Sequence, residues 1–336
     1  MTASRQFRLA ARPAGEIKAS DWDLVEADIP EAADGEFAVE VTHISLDPAM
    51  RGWMSAGRSY VPPVEIGEVM RALALGRVVS SRHPGFAEGD LVSGTFGVQE
   101  HAVSDGRGVH KIAVGNGVSL AAHLGVLGMT GMTAYFGLLD VGRLEEGDTV
   151  LVSGAAGAVG TTVGQIAKIK GARAVGVAGG AEKCRMLVED LGFDAAVDYK
   201  AGDLRAALRE HTPNGVDVFF DNVGGDILNQ GLTRLARGAR VVICGAVSQY
   251  NAAEGMTGPS NYMALLVTRS SMTGFVVFDY AKRYPEAAEQ LSGWLAEGRL
   301  TSVEDTVRGD ITAFPGTLAR LFSGQNTGKL VLELER

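Results

Sequence analysis

Three glycines, Gly154, Gly157 and Gly160, lie between an apolar run and a helical pattern, a spacing suited to holding phosphate. The ligand would be a dinucleotide pyrophosphate, met by free backbone N–H groups and the positive end of a helix dipole. Ahead of the glycines, Thr149-Val150-Leu151-Val152 is unbroken apolar sequence, as in a strand buried on both faces. Behind them, Val159, Val163, Ile166 and either Ile169 or Lys170 share one helical stripe, and Gly171 is placed to end the helix. Ala174 to Ala178 then reads as a second strand and closes a βαβ unit. The match to G-x-G-x-x-G is incomplete, because Ala155 stands where the first glycine belongs. Any tight strand-to-helix turn could carry such glycines; the second strand at the right distance favours a dinucleotide site, with Gly157, Ala158, Val159 and Gly160 as its cradle.

The end of that second strand bears on which dinucleotide. An acid there would hold a ribose 2′-hydroxyl and repel a 2′-phosphate. This chain has Gly179-Gly180-Ala181-Glu182-Lys183, where two glycines leave room and Lys183 supplies charge. Lysine is also ordinary on a solvated helix, but the location favours the phosphate role, with Glu182 pointing away. Further on, Asn222 ends an apolar strand at the carboxyl edge, where doubly wound sheets bind ligands, although Asn before Gly224-Gly225 serves a turn equally well. Cys244 ends the next strand and reads as a small buried hydrophobe, not a nucleophile. Tyr250 follows at the same edge, where its phenol could be a donor or simply packing.

Composition narrows the class. The 336 residues suffice for about two domains, and 46% hydrophobic with 21% charged residues is ordinary for a globular protein. A net charge of −9 argues against nucleic acid or an acidic membrane surface as partner. No apolar run reaches the roughly 18 residues of a membrane span, the N-terminus lacks a signal-peptide core, and Cys184 and Cys244 fit a reducing compartment, so a cytoplasmic protein is expected. The histidines, His43, His83, His101, His110, His123 and His211, are scattered, the two cysteines sit 60 residues apart and no four-cysteine lobe exists; no metal site is expected.

The elements that would position these groups fall into two textures. The first ~120 residues are β-rich, with strands at 37–45, 76–80 and 89–94. A stretch with bulky side chains, Asp47 to Met54 and Tyr60 to Pro63, reads as a packed surface loop. From about Leu120 strands and helices alternate, with strands at 173–178, 195–199, 216–222, 239–246 and 271–278 and helices at 182–191, 203–211, 226–236 and 260–268. This predicts a doubly wound α/β sheet of about six strands, then a helix near 281–297, and a tail strand at 328–334 returning to the first domain.

Several long segments in one order resemble a known family: Leu46 to Arg51, Gly128 to Gly137, Ala155 to Gly160, Phe220 to Gly225, Cys244 to Asn251, and Asn326 to Lys329. The chain is similar to the zinc-independent medium-chain dehydrogenase/reductases, in the branch of prostaglandin and 2-alkenal reductases. Tyr60 to Gly67 and Gly176 to Arg185 are most like the bacterial curcumin reductases. The resemblance implies a Rossmann NADP-binding domain at 123–299 and a smaller GroES-like β-rich catalytic domain from 1–122 plus 300–336.

It also implies NADPH-dependent reduction of the C=C bond of α,β-unsaturated ketones or aldehydes, without metal, in a homodimer. Lys183 with Tyr199 and Gly179 would surround the 2′-phosphate. Asn222, the run Cys244, Gly245, Ala246, Val247 to Tyr250, the segment Phe275, Val276, Val277, and Met129, Thr133 and Asn326 would hold the rest of the cofactor. Tyr250 would be the catalytic donor, with Arg51 and Tyr60 at the substrate. Two departures, Ala49 where many relatives have Tyr and the altered segment Gly97 to Glu100, leave the substrate less defined than the cofactor. A quinone reductase of the same superfamily, or an NADPH-binding protein without catalysis, stands as the alternative.

Overall fold

In the computed structural model, residues 3–113, 115, 117–253 and 255–335 are described. Contacts divide the chain into two units: Met1–Leu124 with Tyr250–Ala253 and Glu304–Arg336, and Gly125–Gln249 with Glu254–Val303. The first boundary comes after Leu124, where the resemblance implies 122, and the return comes at residue 304, where it implies 300.

The first unit opens with an antiparallel pair, β1 (Ala3–Leu9) and β2 (Trp22–Asp28). Then come β3 (Phe37–Ser45), α1 (Ala49–Trp53), β4 (Ala74–Ser81), β5 (Leu91–Gly94), β6 (His101–Ser104) and β7 (His110–Lys111). Of the stretch expected as a surface loop, Tyr60 to Pro63 is one, but Asp47 to Met54 is instead part of the core. Met50, Trp53 and Met54 are buried, packed with Phe7, Trp22, Phe37 and Phe314, because a short helix turns its bulky residues inward.

The second unit begins with α2 (Met129–Phe136) and continues as β8 (Thr149–Ser153), α3 (Ala158–Ile169), β9 (Arg173–Ala178), α4 (Ala181–Glu189) and β10 (Ala195–Asp198). Next are α5 (Leu204–His211), β11 (Val216–Asp221), α6 (Gly225–Leu232), β12 (Leu235–Ile243), α7 (Met263–Thr268), β13 (Ser271–Gly274) and α8 (Tyr284–Ala296). The six strands are parallel in the order β10-β9-β8-β11-β12-β13, so the order reverses between β8 and β11. That reversal opens a crevice at the carboxyl ends of β8 and β11. Two expectations need correction. The strand expected at 271–278 stops at Gly274, since Phe275 turns onto Phe220, with ring centroids 6.5 Å apart. And α3 is not striped: Gly160 to Ala167 are all buried, its polar faces satisfied internally, as where Gln165 exchanges two hydrogen bonds with the Thr301 backbone.

The chain then returns to the first unit through β14 (Glu304–Gly309), α9 (Phe314–Phe322) and β15 (Lys329–Leu334). There the order is β14-β15-β3-β4-β5-β7, with β6 also on β3, so the tail strand is interior to the sheet. Lys329 is 2% exposed; its ammonium donates to the Leu46 carbonyl (2.9 Å) and to Asp47 Oδ1 (2.7 Å). Asp47 also accepts from the Ser45 hydroxyl, so both of its carboxylate oxygens are engaged.

Candidate active site

The glycine loop explains its own departure from the expected pattern. The left-handed turn is made by Gly154 (φ +59°), one residue before Ala155, so position 155 needs no glycine. The Ala155 methyl fits because Gly176 faces it from β9, where a Cβ would come within 2.9 Å. Gly160 is required by close approach. A Cβ there would lie 2.6 Å from Ala155 Cα and nearer still to the Gly154 carbonyl oxygen. Gly157 is the N-cap of α3 and supplies no side-chain cap, which leaves the N–H groups of Ala158, Val159 and Gly160 without intrahelical partners. A pyrophosphate fits this cradle: donors converge and the helix dipole favours negative charge.

At the end of β9, Gly180 (φ +105°) begins α4. Asp198, ending β10, accepts the amides of Gly180 (2.8 Å) and Lys200 (2.9 Å) and so binds two strand ends together. The Tyr199 ring lies against Gly179, where a Cβ would be 2.9 Å from its hydroxyl oxygen, and Lys200 Nζ stands 5.9 Å from the ring centroid. Lys183 is in the first turn of α4 and half-buried, while Glu182 is exposed. The sequence reading missed Asp198 and Lys200; an acid closing one strand beside Tyr-Lys was the available signal.

The crevice is organised by a residue the sequence reading also passed over. Asp221, fully buried, accepts the Ser153 hydroxyl at 2.6 Å and the amides of Val223 and Gly224, while its carbonyl accepts from Cys244 and Gly245. Burial raises its carboxyl above the ordinary range despite those donors. The Asn222 side chain donates to the Ser153 carbonyl (2.7 Å), so this amide bridges β8 and β11. Burial pushes the Cys244 thiol up to about 12, with the nearby Asp221 adding to it, so it stays protonated at neutral pH. Val247–Gln249 is a short helical turn held by the Asn222 and Val223 carbonyls. Met129 and Thr133, one turn apart, are the half-open positions of the otherwise buried α2, and Thr133 Oγ1 donates back to the Met129 carbonyl. The Phe275 ring lies close over Gly137, Val276 is half-buried, and the carbonyl of the buried Val277 accepts from Tyr284.

In the first unit, Tyr60 is 56% exposed, and Asn326 Nδ2 donates to the Gly328 carbonyl at 3.1 Å. Tyr250 is half-buried and counts with this unit although Gln249 belongs to the other. Arg51, expected at the substrate, has most of its guanidinium engaged by the chain itself. It is 6% exposed, and four of its five N–H groups are taken by the chain: Asn251 Oδ1 (3.1 Å), Ser55 Oγ (2.9 Å) and the carbonyls of Pro13 and Gly15 (both 3.1 Å). Burial lowers its guanidinium below the ordinary value, opposed by the charge of Asp21.

Among the described residues no group of three or more His, Cys, Asp or Glu side chains could hold a metal ion, and no helix is long and apolar enough to cross a membrane. Two family models match, one described as the N-terminal domain of oxidoreductase over residues 5–112, the other as zinc-binding dehydrogenase over residues 158–293. The chain is 41% identical to an NADPH-dependent curcumin reductase of Escherichia coli, over 98% of this chain and 97% of that one. It is 37% identical to an NADP-dependent 2-alkenal reductase of Nicotiana tabacum, over 99% and 98%. Among solved structures, CurA of Vibrio vulnificus in complex with NADPH superposes with a TM-score of 0.93 at 42% identity, covering 99% of both chains.

Proposed function

Since the chain belongs to the medium-chain dehydrogenase/reductase family, in the branch that holds curcumin, 2-alkenal and prostaglandin reductases, we propose that it is an NADPH-dependent reductase of the C=C bond of α,β-unsaturated ketones and aldehydes. The α3 cradle suits the pyrophosphate, and Gly179, Lys183 and Tyr199 suit a 2′-phosphate. Bound NADPH supplies a hydride to the β-carbon of the substrate. The protein must then stabilise the negative charge that grows on the carbonyl oxygen.

One observation carries the assignment of that donor. At the strand ends the Asp221 carboxylate is consumed by internal donors, the Asn222 amide is turned to Ser153, and the Cys244 thiol is a weak donor. Tyr250 brings the phenol of the loop that follows, and its hydroxyl donates to the developing enolate oxygen. Solvent protonates the α-carbon. Tyr250→Phe keeps the ring and deletes the donor. It should lower kcat for enones by about a hundredfold or somewhat less, with NADPH affinity unchanged. Parent-rate enone reduction by Tyr250→Phe, or turnover of quinones with none of enones or alkenals by the parent enzyme, would refute the reading.

We also infer a cytoplasmic homodimer. β13 is the last strand of its sheet, and α7, packed on the neighbouring β12, exposes Met263, Leu266 and Val267, the latter two each 68% exposed. An unpaired edge flanked by apolar residues suits a two-fold partner. Light scattering at micromolar concentration should give twice the chain mass, and a monomer would refute the assembly.

A further inference from the structure

Arg51 is a buried cation whose four hydrogen-bond acceptors are all neutral: an amide, a hydroxyl and two backbone carbonyls. Burying a charge in this way is costly, and its return is geometric, since the rigid fork fixes several segments at once. The acceptors belong to three separate stretches: the loop at Pro13 and Gly15, the end of α1 at Ser55, and Asn251. The same loop touches Asn251 again, where a Cβ on Gly15 would sit 3.8 Å from the Asn251 carbonyl oxygen. The base of the fork is itself fixed. Met50 and Trp53 anchor α1 in the core, and Asp47, whose carbonyl accepts from the Met50 amide, is pinned by Lys329.

Asn251 directly follows Tyr250. On the other side, the Gln249 amide donates to the Ala246 carbonyl (2.8 Å), and Gln249 Oε1 accepts from the Thr257 amide (2.6 Å). Tyr250 is therefore a single residue between two held neighbours. We propose that Arg51 is a positioning residue for the reaction: by gripping Asn251 it sets the direction of the Tyr250 phenol. This rests on the donor role of Tyr250 proposed above. A donor displaced by about 1 Å loses much of its effect on the transition state while ground-state cofactor binding is spared.

The test is a double-mutant cycle on the full-length enzyme, with benzylideneacetone as acceptor at saturating NADPH. Asn251→Ala removes the acceptor on the loop and leaves the core untouched. It should lower kcat by about tenfold and leave the NADPH dissociation constant within about twofold. Asn251→Asp keeps an oxygen for the fork and should restore most of the rate. Arg51→Lys, which keeps the charge and loses the fork, should resemble Asn251→Ala; if it does not fold, the Asn251 pair decides alone. In the Tyr250→Phe background Asn251→Ala should cost less than about twofold further, because its effect passes through the hydroxyl already deleted. A slow Tyr250→Phe combined with the same Asn251→Ala factor in both backgrounds overturns the positioning role alone. A parent rate for Tyr250→Phe overturns the donor reading and this one with it.

Discussion

Gly157 and Gly160 lie three residues apart in one loop, yet alanine should harm them in separable ways. At Gly160 the new methyl would stand 2.6 Å from Ala155 Cα and closer to the Gly154 oxygen, where ordinary contact begins near 3.4 Å. Both obstacles are backbone, so α3 must back away from β8 by roughly 1 Å, and overpacking of this kind costs about 1–3 kcal/mol. For a unit of this size that corresponds to a fall of roughly 2–12 °C in melting temperature, present without any cofactor. At Gly157 the methyl would meet only the Gly154 oxygen at 3.3 Å, and φ −87° with ψ 175° is extended backbone open to any residue. The cofactor-free protein with Gly157→Ala should therefore lose less, about 0.5–1 kcal/mol for the poorer N-cap, a fall of roughly 1–4 °C. Its methyl instead occupies the approach to the pyrophosphate. Losing one charge-assisted contact there is worth about 1.5–3 kcal/mol, or about 10- to 100-fold in NADPH affinity. Differential scanning fluorimetry of the cofactor-free proteins and a fluorescence titration with NADPH read the two effects. Parent-like melting of Gly160→Ala, or an equal fall in both variants, would refute the division of labour.

Two further outcomes follow from the same geometry. Lys183→Ala should weaken NADPH by about 10- to 100-fold and leave NADH unchanged, and equal binding of both cofactors by the parent protein would remove the basis for it. Burial holds His43, His101 and His123 below the imidazole value of 6.5, with Glu333 opposing at His43 and Glu100 at His101. The unfolded chain takes up these protons first, so the stability they contribute is complete above pH 6.5 and falls as the pH drops below it. Urea unfolding at pH 7.5 and 5.5 should show that loss, and His43→Gln with His123→Gln should reduce it; an unchanged slope would count against the assignment.

The parts of this protein legible in its sequence are those whose causes are local. Strand, glycines and helix succeed one another within 21 residues, so the α3 cradle could be placed from spacing alone. What Ala155 meant could not, because the space for its methyl is made by Gly176 on the next strand. Asp221 was passed over because its hydroxyl donor, Ser153, lies 68 residues earlier. The grip of Arg51 is hidden from the sequence for a related reason: its acceptors are spread from Pro13 to Asn251, and nothing local announces them. β14 was missed because its residues, Glu-Asp-Thr-Val-Arg-Gly, carry almost no apolar pattern, as suits an edge strand.

The interior place of β15 bears on the order in which the protein can be made. During synthesis the first unit emerges first, yet residues 43–45 of β3 have no partner on that side until Val331 to Glu333 arrive. Asp47 likewise waits for Lys329. The second unit, by contrast, has all its strands by Gly274 and its last helix by Ala296. A nascent chain stalled before residue 329 would thus carry a finished nucleotide-binding unit beside an open sheet edge, the kind of surface that chaperones shield and proteases find. Removing β15 should be more damaging than its short length suggests, and a bulky fusion close behind it would crowd the strand that closes the sheet.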